Sequence, residues 1–237
     1  ISRPALDPEA IAAAVDLLSS AEKPGIFVGW GAREVAEEIK QIAEHLGAPV
    51  ATTLQGLASF PADHPLHTGM GFGPSAVPAA QNAFNGCDAM LAVGTRFAEI
   101  CTGSYGAVPP SKLVHIDINP GAIGRNHPTP VPIHADARDA VPALAKQLLE
   151  SSEARESKAL QEAIAADKKA WLQEWLDHDS GDRVNPGRFF SSRRAERDND
   201  GGIVTDGGDA TVRAAVCVAM LGGGGCGCAT GCEWVGG

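Results

Sequence analysis

The sequence predicts a doubly wound α/β domain over residues 1–150, a parallel sheet of about five or six strands flanked by helices. Two observations carry this expectation. Short runs that are apolar throughout alternate with amphipathic helical stretches, and a strand apolar at every position suits a sheet covered on both faces. Each run also gives way to Gly, Asp or Asn, residues that turn the chain where a strand ends.

Taken in order, Asp7 is placed as an N-cap, Pro8 as the first helical residue, and Ile11, Ala14, Val15 and Leu18 fall on one stripe of a surface helix. The Lys23-Pro24-Gly25 break leads into the apolar run at 26–28, which ends in Gly29-Trp30-Gly31-Ala32-Arg33. An amphipathic helix over 34–46 follows, and Gly47 is its natural stop. The pattern then repeats as a strand at 49–53, a helix at 77–85, and strands at 89–93, 113–117 and 131–134.

Beyond this domain, residues 151–185 read as a helical linker. Its helix covers 153–177, with Leu160, Ile164, Trp171, Trp175 and Leu176 on a recurring face, and is expected to pack on the domain or bridge onward. Asn185 caps a helix expected at 186–197, and a strand at 202–206 opens a second α/β unit that is incomplete over 186–211. Residues 212–237 hold eight Gly and four Cys, a composition that supplies little core, and disorder is the expectation there. A reading-frame change and a native tail are both open as its origin.

With 29 acidic against 19 basic side chains the net charge is −10, which disfavours nucleic acid and anionic membrane as partners. No apolar run reaches the ~18 residues of a membrane-spanning helix, and the first residues lack a signal-peptide layout. The expectation is a cytoplasmic protein with a small-molecule ligand. Cys87 and Cys101 stand alone in the first 211 residues, so no disulfide framework is drawn. His64, His67, His127 and His134 lack a metal-ligand spacing, and Cys226, Cys228 and Cys232 lack a matched second pair.

The chemistry concentrates where strands end. Gly29 and Gly31 follow a strand and precede a helix, the start of a phosphate-cradling loop, although Glu34 stands where a third glycine is usual. A tight turn is the plain alternative. Arg96 leaves the strand at 89–93 and could clamp a diphosphate bidentately, or pair with Glu99. Asp117 closes its strand where ribose hydroxyls are gripped in related sheets, or it caps a short helix that Pro120 would start. Asp136 ends the last strand and is open to the same two readings. His115, inside an apolar strand, reads as a satisfied core histidine.

Five stretches, in order and spacing, resemble the central domain of thiamine-diphosphate-dependent enzymes of the acetolactate synthase type. They are Pro24 through Ala32, Thr52-Thr53-Leu54-Gln55-Gly56-Leu57 with His64 through Gly71, Ala92-Val93-Gly94-Thr95-Arg96-Phe97, His115-Ile116-Asp117-Ile118-Asn119-Pro120, and His134-Ala135-Asp136-Ala137. Asn185-Pro186-Gly187-Arg188-Phe189-Phe190 resembles the approach to the family's third, diphosphate-binding domain.

The resemblance implies a full enzyme that decarboxylates a 2-keto acid and joins the two-carbon unit to an acceptor. It implies thiamine diphosphate and Mg2+ as cofactors of that full enzyme, and a homo-oligomer, dimer or tetramer, with active sites between subunits. FAD or ADP in the central domain is implied at Gly29, Gly31, Thr53, Leu54, Gly56, Gly69, Arg96, Asp117, Asn119 and Asp136. Two acidic residues and a second Arg usually follow the Arg-Phe pair, whereas this chain has Ala98, Glu99 and Ile100, which leaves FAD, ADP and an empty cleft open.

The family's catalytic glutamate belongs to a first domain, and the chain is expected to start after it. Asp209 and Ala210 replace the amide and histidine usual at the start of the third domain. No catalytic residue and no metal ligand is therefore assigned. A fragment inactive alone is the main expectation; a free-standing FAD-, ADP- or NAD-binding module, or an NAD-dependent enzyme of kindred fold, are the rivals. Trp30, Phe72 and the helix around Trp171 and Trp175 are the expected apolar patches.

Overall fold

The computed structural model describes residues 3–195. Among the described residues there are six strands: β1 Pro24–Val28, β2 Val50–Thr52, β3 His67–Met70, β4 Ala89–Val93, β5 Lys112–Asp117 and β6 Val131–His134. They form one parallel sheet in the order β3-β2-β1-β4-β5-β6. The chain builds outward from β1 in one direction and from β4 in the other. The order therefore reverses between these two neighbours, and in such sheets the loops leaving the pair diverge to open a crevice beyond the strands' carboxyl ends.

Helices α1 Pro8–Ser19, α2 Ala36–Leu46, α3 Pro78–Phe84, α4 Ala137–Ser151, α5 Lys158–Asp177 and α6 Pro186–Ala195 accompany the sheet. Side chains alternate across a strand, so Ile26 and Val28 join one core while Phe27 joins the other. The first core packs α1, α2 and α4 on the sheet; the second packs α3 and α5. Both faces of β1 and β4 are thus covered, which is why every residue in them is buried.

Local signals act as expected. The Asp7 carboxylate accepts the Glu9 N–H at 2.9 Å, and Ile11, Ala14, Val15 and Leu18 are all buried. Burying a side chain such as Leu18 stabilises by about 1.5–3 kcal/mol. Gly47, at φ +60, turns out of α2 so that the Ala48 N–H reaches the Ala43 carbonyl at 2.9 Å.

Four features differ from the sequence reading. The strand β3 is polar and contains Gly69, yet it is covered because α3 and α5 lie against it. A turn of 3-10 helix at Trp30–Ala32 precedes α2, which starts at Ala36. The helix expected from 153 starts at Lys158. Residues 152–157 stay non-helical because Arg155 donates to the Ser19 and Ala21 carbonyls, both at 2.7 Å, and its backbone N–H donates to His45 at 2.9 Å. Phe72, expected as an exposed patch, is buried against Phe27, Phe84 and Phe97.

The helix read as a linker packs into the domain, with Ile164 buried and Leu160 and Trp171 against the second core. Asn185 caps α6, accepting the Arg188 N–H at 3.0 Å. The end of the 186–197 helix, the 202–206 strand and the 212–237 tail lie outside the described residues.

Candidate functional site

Every residue proposed from sequence falls at the carboxyl end of the sheet. Gly29 and Gly31 follow β1, Thr53, Leu54 and Gly56 follow β2, Gly69 lies in β3, Arg96 follows β4, Asp117 and Asn119 end and follow β5, and Asp136 follows β6. The parallel topology does this: all six strands point the same way, so six post-strand loops share one edge.

The glycines meet one another. A Cβ on Gly29 would lie 2.3 Å from the Gly94 oxygen, one on Gly31 2.8 Å from Gly94 Cα, and one on Gly56 2.7 Å from the Gly29 carbonyl carbon. Three loops, from β1, β2 and β4, are therefore in backbone contact at the point where strand order reverses. The Gly29 N–H donates to Val93 at 2.9 Å and the Gly31 N–H to Gly94 at 3.2 Å. Those amides are engaged inside the protein, unlike a loop whose N–H groups point at a phosphate; the glycines act by letting backbones touch.

The β2 loop is fastened to this cluster. The Gly56 N–H donates to Thr53 Oγ1 at 2.9 Å, and the buried Ser59 hydroxyl donates to the Gly29 carbonyl at 2.8 Å. Ser59 was invisible in the sequence, where a lone serine in a loop carries no signal. The Thr52 hydroxyl, at the end of β2, is fully buried with no hydrogen-bond partner among the described residues.

Arg96 sits two residues beyond Gly94, on a turn whose next residue, Phe97, has φ +49. That conformation is costly for a residue with a side chain. Phe97 is held in it by burial among Phe27, Phe72, His115 and His127. Arg96 itself is exposed, and its guanidinium makes no ion pair or hydrogen bond among the described residues; pairing with Glu99 is not formed.

His115 is the satisfied core histidine expected. Its Nε2 lies 2.7 Å from the Thr95 carbonyl, an acceptor only, so Nε2 carries the proton. Burial lowers its pKa and keeps the ring neutral.

The three acidic and amide candidates differ in freedom. Asp117 is half-buried, burial raises its pKa, and one carboxylate oxygen accepts the Asn119 N–H at 2.8 Å. Asn119 in turn accepts the Gly121 N–H at 3.0 Å, and no helix starts at Pro120. Asp136 caps α4, accepting the Arg138 N–H at 3.0 Å, and its oxygens also take Arg138 Nη2 at 2.6 Å and Arg3 Nε at 3.4 Å. The Arg138 side chain is the main cause holding its pKa down to about 2. Both Asp136 oxygens are thus engaged within the protein. Arg138 links it across to Glu34 at 3.2 Å, and Arg33 stacks over the exposed Trp30 ring at 4.4 Å.

Gly69 lies against Val77, and Leu54 is half-buried. An open groove of about 510 Å³ lies elsewhere, between the end of α5 and α6, and takes no residue from a strand end. Among the described residues no group of three or more His, Cys, Asp or Glu could hold a metal ion, and no helix is long and apolar enough to cross a membrane.

A six-stranded parallel sheet with helices on both faces, and glycine loops in contact where its strand order reverses, defines a doubly wound, Rossmann-like α/β domain. Residues 11–144 match the family described as "Thiamine pyrophosphate enzyme, central domain", and the chain belongs to it. It is 38% identical over 184 residues to the acetolactate synthase large subunit of Corynebacterium glutamicum, an alignment covering 76% of this chain and 27% of that one. A probable acetolactate synthase large subunit of Methanocaldococcus jannaschii is 38% identical over 70% of this chain and 26% of its own length. A probable acetolactate synthase of Oryza sativa is 35% identical over 68% of this chain and 23% of its own. The chain thus spans about a quarter of the length of these relatives.

Proposed function

We propose that the chain is the central portion of an enzyme of the acetolactate synthase type, which decarboxylates a 2-keto acid and joins the resulting two-carbon unit to an acceptor. The observation that carries this reading is the family match over residues 11–144 together with the acetolactate synthase relatives. Within that enzyme the domain holds an adenine nucleotide, FAD or ADP, across the strand ends. Arg96 supports this reading as an exposed, unpaired cation beside the switch point, where it can neutralise a diphosphate bidentately. On this reading Asp117 accepts from ribose hydroxyls with the oxygen that does not take the Asn119 N–H, and the close contacts of Gly29, Gly31 and Gly56 support a crevice floor at backbone height.

Thiamine diphosphate and Mg2+ belong to the proposed full enzyme, where they supply the carbanion chemistry. Among the described residues no group of three or more His, Cys, Asp or Glu could hold the Mg2+. The full enzyme is read as a cytoplasmic homo-oligomer, dimer or tetramer, and the exposed Trp30, Ile100, Tyr105 and Val108 supply apolar area for such contacts.

The test is titration of the 237-residue chain with FAD, followed by flavin fluorescence, and with ADP by calorimetry. Saturable binding weakened by Arg96→Ala is expected; binding of neither ligand refutes the nucleotide reading. Pyruvate turnover by this chain with added thiamine diphosphate and Mg2+ would overturn the assignment of catalysis to the rest of the enzyme.

A further inference from the structure

The turn that carries Arg96 is held by side chains from outside it. Three consecutive carbonyls on this turn, those of Thr95, Arg96 and Phe97, each accept a side-chain hydrogen bond. His115, in β5, takes the first at 2.7 Å. Asn126, in the loop between β5 and β6, takes the other two through a single amide nitrogen, at 3.0 Å each. Both of its neighbours are acceptors, so the Asn126 amide must present its NH2, which has two hydrogens to give. The Thr95 hydroxyl accepts the Phe97 N–H at 3.3 Å from the other side.

This arrangement answers a specific need. Phe97 has a left-handed backbone at φ +49, which a free chain leaves readily, and relaxing it would rotate the peptide that joins it to Arg96. The buried Phe97 ring anchors the side chain but does not fix the two carbonyls. A single exposed asparagine, 30 residues away from Arg96, does.

We infer that Asn126 is a positioning residue, fixing the Arg96–Phe97 turn so that the Arg96 guanidinium is presented at the switch point. The importance of that presentation for ligand binding rests on the nucleotide reading above. Nothing in the sequence draws attention to Asn126, which lies in a polar loop, Gly124-Arg125-Asn126-His127.

Two measurements on the 237-residue chain test it separately from that reading. In the first, hydrogen exchange of the backbone amides at 95–99 is compared between the wild type and Asn126→Ala. Loss of both hydrogen bonds is expected to speed exchange there by about tenfold while β1 amides are unchanged. Unchanged exchange at 95–99, or a rise spread evenly over the whole sheet, overturns the inference.

In the second, ADP affinity is measured in a cycle of Asn126→Ala and Arg96→Ala. Asn126→Ala is expected to weaken ADP about tenfold in the wild-type background and less than about twofold when Arg96 is already gone, because it acts through Arg96. Equal losses in both backgrounds would make Asn126 a general structural residue and overturn the inference. A wild-type chain that binds neither ADP nor FAD removes the nucleotide reading alone, and the exchange result still decides whether Asn126 holds the turn.

Discussion

Replacing Gly94 by Ala should destabilise the domain far more than the same change at another left-handed glycine. Gly94 has φ +58, and an L-residue there costs about 1–2 kcal/mol. Its new Cβ would stand 2.4 Å from Gly31 Cα, 2.6 Å from the Gly31 carbonyl carbon and 2.8 Å from the Ala32 nitrogen. All three are backbone atoms, so no side chain can swing away and the β1 and β4 loops must separate. That movement breaks the 3.2 Å bond from the Gly31 N–H to the Gly94 carbonyl, worth about 1 kcal/mol. With lost packing added, about 3–4 kcal/mol is expected, or roughly 6–16 °C in Tm for a chain of this size. Gly124→Ala is the control, since Gly124 has φ +73 with nothing within 4 Å of the added Cβ. Thermal unfolding by circular dichroism compares the two. If Gly94→Ala melts within about 2 °C of Gly124→Ala, close loop contact is not what requires glycine, and the reasoning fails.

Other expectations follow from individual side chains. Arg155→Ala strands the Ser19 and Ala21 carbonyls and should cost about 2–4 kcal/mol in denaturant unfolding, with Arg155→Lys intermediate because one ammonium cannot serve both at the same geometry. Burial pushes the Asp88 carboxyl up, but the Lys23 and Glu22 N–H groups and the Lys112 ammonium outweigh it and hold it at about 2. Its contribution is complete above the ordinary carboxylate pKa of about 3.9 and is lost as pH falls toward about 2, so Asp88→Asn should flatten acid unfolding in that window; an unchanged profile would contradict this. His67 is 1% exposed, and burial, aided by Lys168 and opposed by the Ala62 backbone, lowers its pKa from 6.5 to about 3. The unfolded chain binds that proton first, so stability falls as pH drops from 6.5 toward about 3. His67→Leu should remove this acid sensitivity, read as a flatter stability profile between pH about 6.5 and about 3. A larger acid loss in the variant would refute it.

How much of this could be read without coordinates varied with the kind of signal. Apolar runs and caps are local, so five strands, the Asp7 and Gly47 helix ends and the buried stripe of α1 were legible in order. The strand β3 was not, because His67, Thr68 and Gly69 are polar or small and become buried only when α3 and α5 close over them. The break at 152–157 escaped for a similar reason. Its composition suits a helix, and what prevents one is a long-range bond set from Arg155 to the α1–β1 corner.

At the candidate site the sequence by itself determined the residue types and, through parallel topology, the edge of the sheet they share. Local chemistry suffices for that, since a strand end, a glycine and an acidic cap are all short-range features. Only the tertiary structure decided what each does: that Gly29, Gly31 and Gly56 serve loop contact with their neighbours, that Asp136 is engaged by Arg138 and Arg3, that Arg96 is unpaired among the described residues, and that Ser59 and Asn126 fasten the loops. Hydrogen bonds and close approaches between residues far apart in the chain depend on distances that no spacing in sequence encodes.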